Sequence, residues 1–344
     1  MPGISSDFSS FAVKPRLRSI LVAYPSFRVC TLMLSSTIKR LVFGSENFHH
    51  QCTLGLPDPQ PEVAVWLHWV TGARDVTFDH AIACPHPLRI GIGFKRNAAV
   101  FSSSAKPILR FVDRAGEQLL GEVSLDFKES IPLGPDQVVL FGVRNCWNYC
   151  APQHQLWSNY IRFACKHWRT RKSTDTLTPL ESHSLFVAYI CPRPVVLVSV
   201  VDGNDNNIFP MDLIGPIGEQ HFSLALHNTS SALPLIDRAR RVVLSSVPIE
   251  ETKIAYELGK NHRQPGIQWA RLPFPTTYSA TLHLPVPKFA LRVRELEVDC
   301  VRNLGSHTLL LARVLYDRKW SEGAQLHFIH GFYGIRRRAL KHGV

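Results

Sequence analysis

Apolar and polar residues alternate along much of the chain with the two-residue period of β-strands. Between residues 62 and 145 this alternation, and the turn residues between the runs, predict a series of strands. They are Val63–Val70, Leu88–Phe94, Ile108–Asp113, Leu119–Leu125 and Val138–Val143. From Gln153 to Arg169 the apolar period lengthens to three and four residues, which predicts an amphipathic helix. We therefore predict a β-rich domain of unknown function over 62–175 that ends in this helix.

A second series of strands fills the C-terminal half. The β-branched run Val195–Val201 is typical of a strand buried on both faces, and helices are predicted from Pro179, over Ala232–Arg241 and over Glu250–Leu258. Further strands are predicted at Phe222–Leu226, Val242–Leu244 and Thr308–Leu315. Near Arg294-Glu295 the apolar phase slips by one residue, which predicts a β-bulge. The fold is therefore predicted to be mainly β, with a C-terminal barrel domain over 176–338 and a helix covering one end.

The N-terminal segment, 1–61, differs from the rest of the chain. Residues 1–50 contain six Lys or Arg, two acidic residues and nine serines, a composition shared by organelle transit peptides. A poorly ordered extension and an N-terminal helix such as Thr31–Val42 are the alternative interpretations. Leu56–Pro61 holds three prolines and is predicted to be a linker.

Composition restricts the class of protein. The 45% apolar and 19% charged residues are typical of a globular chain, and no apolar run is long enough to span a membrane. The net charge of +12 suits an anionic partner, but the basic residues are scattered and no nucleic-acid-binding motif accompanies them. Eight widely spaced cysteines indicate reduced thiols and an intracellular, cytoplasmic protein, with organelle import as the alternative.

Two groups of residues could carry chemistry. His227–Ala232 joins a predicted strand to a predicted helix, and its hydroxyls and free backbone N–H groups could bind an anion; an ordinary helix cap is the alternative. Cys146, Cys150 and His154 are of the types that bind zinc, but their spacing is not that of a familiar zinc site. We interpret these residues, and likewise Cys84 and His86, as core cysteines and surface histidines, and predict no metal.

Three further blocks occur in order within the C-terminal half. They are Arg193–Ser199 (RPVVLVS), Asn207–Pro216 (NIFPMDLIGP) and Gly305-Ser306-His307, which heads a strand. Together with the closing His330–Tyr333 they resemble the flavin reductase-like family, whose fold is the FMN-binding split barrel. The resemblance extends over residues 179–335.

The resemblance implies a flavin site built from three segments. The segment along the isoalloxazine ring is implied to contain Phe209, Pro210, Met211, Asp212, Leu213 and Gly215. The turn holding the ribityl chain and phosphate is implied to contain His227, Asn228, Thr229, Ser230 and Ser231. His307 is implied to be the catalytic residue, next to flavin and nicotinamide. Ser306 replaces the family's usual aspartate, and Ser231–Pro234 departs from its phosphate-helix motif.

The activity implied by the resemblance is that of an NAD(P)H-dependent flavin reductase with FMN or FAD as cofactor. Hydride passes from nicotinamide to flavin in this chemistry, so no side-chain nucleophile is required. The family also implies a homodimer with the flavin near the subunit interface. A non-catalytic flavin-binding or protein-interaction role for the same barrel is the alternative, and a basic nucleic-acid-binding protein is a third hypothesis.

Overall fold

The computed structural model describes residues 51–70, 72–96, 106–169 and 177–341, without the side chains of 162–169 and 341. The basic, serine-rich segment 1–50, with its predicted helix Thr31–Val42, lies outside the described residues. Within the described ranges the protein is mostly β. In the first half the strands are β1 (Gln51–Leu56), β2 (Val63–Trp69), β3 (Gly72–Asp75), β4 (His80–Pro85), β5 (Leu88–Lys95), β6 (Ile108–Asp113), β7 (Leu119–Leu133) and β8 (Asp136–Asn148), followed by helix α1 (Gln153–Arg169).

The first half forms one antiparallel sheet of seven strands in the order β3-β2-β6-β7-β8-β5-β4. The five strands predicted here are confirmed, although β7 and β8 extend well beyond their predicted ends. Their inward-facing residues, such as Val65, Ile92, Phe111 and Phe141, are almost fully buried in one apolar core. The alternation of apolar and polar residues along each strand arises because successive side chains point to opposite faces of the sheet.

The second half contains the remaining elements. They are α2 (Pro179–Ala188), β9 (Arg193–Pro194), β10 (Val196–Asp202), β11 (Asp205–Met211), β12 (Ile214–Ile217), β13 (His221–His227), α3 (Ala232–Ala239), β14 (Arg241–Ser246), α4 (Thr252–Leu258), β15 (Thr276–Tyr278), β16 (Pro285–Pro287), β17 (Arg292–Asn303), β18 (His307–Lys319), β19 (Gln325–His330) and α5 (Gly331–Lys341). Short 3₁₀ turns occur at Ile249–Glu251, Gly259–Arg263 and Trp269–Arg271. The predicted strands and helices of this half are confirmed, with ends shifted by a few residues.

Seven of these strands form a second antiparallel sheet in the order β11-β10-β14-β17-β18-β13-β12. Its two edge strands are joined by Asp212 and Leu213 alone, a connection that reaches about 11 Å at most. A flat sheet of seven strands would hold its edges about 29 Å apart. The sheet must therefore curl until its edges nearly meet, which makes a barrel that is split at Asp212-Leu213.

The predicted bulge is confirmed. Between β17 and β18 the register shifts at Glu295/Leu296 and again at Val298/Cys300. Val293 and Leu296 are both fully buried, although they lie an odd number of positions apart. A bulge allows this because the extra residue returns the apolar side chains to the buried face.

Residues 51–61, which the sequence assigns to the linker and extension, have defined structure. β1 pairs with β19, and β19 also pairs with β9, so a third, small sheet forms. Asp58 forms ion pairs with Arg292 (3.2 Å) and Arg294 (2.8 Å). Burial alone would raise the pKa of Asp58, but the two guanidinium groups outweigh burial and lower it. The proline-rich segment is therefore held against the second sheet.

Helix α2 packs mainly against the first sheet, whereas α5 lies against β1 and β19 and adds apolar side chains to the core of the first sheet. α2 begins with a capping box, in which the Thr178 hydroxyl accepts from the Glu181 N–H and the Glu181 carboxylate accepts from the Thr178 N–H. Val187 on α2 and Phe332 on α5 belong to the core of the first sheet. Among the described helices, not one is both long and apolar enough to cross a membrane.

Candidate functional site

A cavity of about 300 Å³ lies at the split of the barrel that the second sheet forms, and is referred to as the split cavity. Parts of all three segments implied by the resemblance contribute to its wall. The lining residues are Pro210, Met211, Asp212, Leu213, Ala225, Leu226, His227, Thr229, Ser230, His262, Arg263 and His307. The wall is thus apolar on the strand side and polar where the turns and the corner converge.

The implied ring segment divides between two environments. Pro210 to Leu213 run from the end of β11 across the split and line the cavity. Phe209 does not line it, because its side chain is fully buried in the barrel core against the ring of His262 (centroids 4.8 Å apart). Gly215 lies farther along, on β12, and lines a different cavity. Asp212 forms an ion pair with Arg193, whose guanidinium also stacks over Tyr189.

The implied phosphate turn offers hydroxyls rather than free amides. His227, Thr229 and Ser230 line the split cavity, whereas the Asn228 amide donates to the Gly305 carbonyl oxygen (2.5 Å) and Ser231 bonds to the backbone at 262–264. The expectation of free backbone N–H groups is wrong. Every N–H from residue 228 to residue 233 already has an acceptor. Their acceptors are Ser306 O, His227 Nδ1, His227 O, His262 O, Ser230 Oγ and Ser230 O.

His307 begins β18 directly opposite His227, and the two imidazole rings meet edge to face with centroids 4.9 Å apart. The Ser306 hydroxyl is hydrogen-bonded to His307 Nδ1 at 2.8 Å. It thus orients the ring, as expected of a hydroxyl in place of the family's aspartate. Burial, with a smaller effect from His227, lowers the pKa of His307 to about 4. The ring is therefore neutral at physiological pH, with Nδ1 engaged by Ser306.

His262 and Arg263 were not predicted from the sequence. They end the 3₁₀ turn Gly259–Arg263, which follows α4 directly: the α-helix ends at Leu258, and Gly259, in a right-handed conformation, begins the turn. Asn261 donates to the Ile208 carbonyl oxygen (2.7 Å), and His262 Nε2 lies 2.8 Å from the Pro210 carbonyl oxygen. These bonds bring the turn against β11. The only sequence signal was a polar triplet, Asn-His-Arg, without apolar periodicity around it.

A larger cavity of about 750 Å³ lies between the two sheets and is referred to as the inter-sheet cavity. It adjoins the split cavity, because Asp212 and Leu213 line both. The first half contributes Thr77, Phe78, His80, Ala81 and Ile82 to its wall. The second half contributes, among others, Arg193, Gly215, His221, Phe222, Arg292 and Arg294.

Two buried nitrogen atoms, on residues that line the inter-sheet cavity, have no hydrogen-bond partner among the described residues. They are Nε of Arg193 and Nδ1 of His221. A buried polar atom without a partner costs about 1–3 kcal/mol, so these two atoms are candidates for a bond to a water or ligand in the cavity. The cavity volume falls within the range of about 300–1,000 Å³ that is usual for small-molecule sites.

The cysteines interpreted as core residues lie in the first sheet. Cys146 and Cys150 are buried in its apolar core, and burial raises the pKa of Cys150 to about 12. Cys84 Sγ lies 3.2 Å from the His86 carbonyl oxygen, to which it donates. The side chains of Cys165 and His167 lie outside the described residues. Within the described part of the chain, three or more potential metal ligands do not come together at any point.

Comparison with known proteins gives a limited result. No protein-family model matches the chain, and no curated protein matches it. Solved structures with a similar arrangement include an FMN-binding protein from Thermus thermophilus, which is 22% identical over 38% of this chain and 73% of its own, with a TM-score of 0.33. An NADH:FAD oxidoreductase from Streptomyces globisporus is 14% identical over 46% of this chain and 94% of its own (TM-score 0.39).

A third similar structure is the styrene monooxygenase flavin reductase of Pseudomonas putida. It is 14% identical over 43% of this chain and 93% of its own, with a TM-score of 0.36. Each of these likenesses concerns less than half of this chain. At such identities and scores they do not decide what the chain binds, so a functional conclusion depends on its own residues.

Proposed function

We propose that the protein is an FMN-binding oxidoreductase, and specifically an NAD(P)H-dependent flavin reductase, with its site in the split cavity and the adjoining inter-sheet cavity. The proposal depends on the observation that three separate segments meet at one cavity. The ring segment at 210–213, the hydroxyl turn at 227–230 and the corner at His307 line one cavity, although they are far apart along the chain. These are the segments that the ordered sequence blocks assign to flavin binding.

The polar end of the split cavity is suited to the phosphate. Thr229 and Ser230 provide hydroxyls, and Arg263 provides a guanidinium group without an acidic partner among the described residues. Charge-assisted hydrogen bonds from arginine to phosphate are about twice as strong as neutral ones. The amides of the turn are bonded to the protein, and the hydroxyls of Thr229 and Ser230 also lie near His227 Nδ1 (2.8 Å) and His262 Nδ1 (3.4 Å). We therefore assign the phosphate chiefly to Arg263, with the two hydroxyls beside it.

The isoalloxazine ring is assigned to the wall that the two cavities share. Leu213 provides apolar surface to both cavities, Met211 adds apolar surface on the side of the split cavity, and Arg193, which pairs with Asp212, has a buried Nε without a partner on the side of the inter-sheet cavity. An isoalloxazine is apolar over its faces and carries acceptors on one edge, so this combination of apolar wall and unsatisfied donor suits it. Gly215 adds a position without a side chain, at which His80 of the first half approaches closely.

A bound flavin would supply the redox chemistry by accepting hydride from a reduced nicotinamide. The protein's residues bind and orient. His307 is neutral at physiological pH, and the Ser306 hydroxyl holds its Nδ1. It can therefore direct a hydrogen-bonding Nε2 toward the site without introducing a cation. We assign it a role in orienting the flavin or nicotinamide rather than in proton abstraction.

The absorption spectrum of the purified protein, before and after addition of FMN, tests the proposal. We expect bands near those of free FMN that shift on binding, and oxidation of NADH or NADPH that depends on flavin. Absence of any binding of FMN or FAD at micromolar concentrations would overturn the proposal.

A flavin-binding protein without catalysis is the alternative. Adding NADPH and NADH to the FMN complex under nitrogen separates the two functions, because a reductase bleaches the flavin absorption whereas a binding protein leaves it unchanged. The homodimer that the resemblance implies remains a prediction.

A further inference from the structure

The two seven-stranded sheets have the same topology. If the strands of each sheet are lettered a to g in chain order, both sheets read b-a-e-f-g-d-c, with every neighbouring pair antiparallel. Seven strands can be ordered in a very large number of ways, so identity of order is a specific feature. The shared order includes the N-terminal half of the chain, to which the sequence assigns no function.

The spacing along the chain is also repeated. The first five strands of the second sheet follow their counterparts at an offset that is constant to within one position, as from Val63 to Val196 and from Ile108 to Arg241. The segment 247–291, which contains α4 and the hairpin β15–β16, is an insertion in the second sheet. After it the offset is larger, as from Asp136 to His307.

Even the irregularities of the two sheets correspond. The β7–β8 pair has register shifts at Ser124/Leu125 and Phe127/Glu129. The β17–β18 pair has its shifts at Glu295/Leu296 and Val298/Cys300, and both are displaced by the offset that separates Asp136 from His307. Gly134 and Gly305, which the same offset relates, both adopt positive φ before the last strand.

The copies dock on each other reciprocally. In one direction, the turn between β4 and β5 of the first copy contacts the corner of the second copy at Ser306-His307. There the Ser306 N–H donates to the His86 carbonyl oxygen (2.7 Å). In the other direction, the turn between β12 and β13 contacts the first copy, where the Gly218 N–H donates to Asp79 Oδ1 (2.6 Å). Reciprocal contact of this kind is the mark of a two-fold interface between like units.

The docked surfaces fit too closely for side chains at four glycines. A Cβ on Gly93 would lie 2.6 Å from the Gly218 nitrogen, and one on Gly215 would lie 2.9 Å from the His80 carbonyl oxygen. Likewise a Cβ on Gly305 would lie 2.6 Å from the His86 carbonyl oxygen, and one on Gly218 would lie 2.9 Å from Asp136 Oδ2. Apolar residues of both sheets, including Leu140 and Leu311, form a common cluster beside them. The interface is therefore packed like a protein interior.

The corners differ in their side chains. In the second copy, His227 and His307 face each other across the sheet beside the split cavity. In the first copy, the corresponding cross-strand pair is Lys95 and Asp136. These two form an ion pair at 3.1 Å, and Lys95 also pairs with Glu219 of the second copy at 3.0 Å. The position equivalent to the histidine pair is thus occupied by an ion pair, in which Asp136 is buried and Lys95 is exposed.

We propose that the chain is an internal duplication whose first copy, Val63–Asn148, takes the place of a partner subunit for the second copy, Val196–Lys319. The chain is then self-paired and monomeric, in place of the homodimer that the resemblance implies. The corner of the second copy opens onto the split cavity, and that of the first copy holds an ion pair. That the open site binds a flavin rests on the proposed function. The first copy serves that site by supplying His80, Ala81 and Ile82 to the inter-sheet cavity and by docking its β4–β5 turn on the His307 corner.

Light scattering coupled to size-exclusion chromatography, with an FMN titration on the same full-length protein, tests the proposal. We expect a mass of 38.8 kDa that is unchanged over a hundredfold dilution, and saturation at one FMN per chain. A dimer that persists on dilution, or two FMN per chain, would overturn the proposal. A monomer that binds no flavin would support self-pairing while overturning the proposed function, so the two failures are distinguishable.

A matched pair of variants tests the interface itself. Gly93→Ala introduces a methyl group against both Asp79 Oδ1 and the Gly218 nitrogen of the second copy, the two atoms that form a hydrogen bond between the copies. Gly116→Ala places one in an open turn, 3.8 Å or more from any neighbour. Hydrogen exchange of peptides covering 214–220 should accelerate at least tenfold in Gly93→Ala and remain at the wild-type rate in Gly116→Ala. Unchanged exchange in both variants would show that the copies are not docked as described.

Discussion

The two corners of this protein present the same backbone with opposite chemistry. Each follows a glycine of positive φ and begins the last strand of its sheet. In the first copy Lys95 and Asp136 neutralise each other, while in the second copy two histidines face a cavity. The difference shows that the strand framework alone does not make a site. Side chains on a shared framework decide which copy has the capacity to bind a ligand.

The contacts between the copies also explain why the protein can retain a first copy whose corner does not face the split cavity. The first copy buries surface of the second, contributes to the inter-sheet cavity and holds the Ser306 N–H through the His86 carbonyl oxygen. A copy that supports its neighbour in this way is constrained by packing rather than by ligand chemistry. Its corner residues can then change to an ion pair without affecting the other site.

The largest effect on stability is expected when the glycine before either corner is replaced by alanine. Gly305 has φ +132°, and a Cβ there would meet the His86 carbonyl oxygen, whereas Gly134 has φ +60° and open space around it. We expect Gly305→Ala to lower the free energy of unfolding by about 3 kcal/mol or more, and Gly134→Ala by about 1 kcal/mol. Urea denaturation measures both. Equal losses would contradict the close docking at the second corner.

The next largest effect is expected on FMN affinity, when the arginine assigned to the phosphate is replaced. Arg263→Gln removes a charge from the split cavity, and Arg96→Gln removes an exposed charge just after β5, on a residue that lines neither cavity. Because a charge-assisted hydrogen bond contributes about 1.5–3 kcal/mol, we expect Arg263→Gln to weaken FMN binding about tenfold or more and Arg96→Gln to leave it unchanged. Riboflavin, which lacks the phosphate, should bind both variants as it binds the wild type. Fluorescence titration gives the affinities, and an equal loss for both ligands would place the phosphate elsewhere.

The histidine corner should make stability depend on pH. The pKa of His307 is about 4 in the folded protein, below its ordinary value of 6.5 in the unfolded chain. The unfolded chain therefore takes up this proton first, and stability falls as the pH decreases from 6.5 to about 4. His307→Gln should retain more of its stability than the wild type over this range. Urea midpoints at neutral pH and about one unit below the ordinary histidine pKa test the difference, and parallel decreases would contradict the assignment.

The smallest effect is expected at the hydroxyl turn. Thr229→Val keeps the shape of the side chain and removes one neutral hydrogen bond. Such a bond contributes about 0.5–1.5 kcal/mol, so FMN affinity should fall by roughly threefold to tenfold. Ser231→Ala is a matched control, because the Ser231 hydroxyl bonds to the backbone at 262–264 and does not line the cavity. Comparable losses of FMN affinity in both variants would move the phosphate site along the turn.

Much of the local structure was predictable from the residues. Alternation identified the long strands of both sheets, and the phase slip near Glu295 identified the bulge, because both patterns depend only on which residues a strand can bury. The blocks at 209–215 and 227–231 indicated where a site could form. They did not indicate that Phe209 packs against the ring of His262 or that the amides of the turn are occupied. The first depends on a residue from the insertion, and the second on acceptors in the turn itself, at Ser306 and at His262.

The sequence by itself determined the positions of the strands, the fold class and the candidate segments, because local periodicity reflects the face that each residue presents. Only the tertiary structure decided which strand pairs with which, and therefore that both halves share one order. Alternation is the same for any partner, so pairing between distant parts of the chain leaves no local signal. The difference between an open corner of histidines and a closed corner of Lys95 and Asp136 became visible only once the two sheets were compared strand by strand.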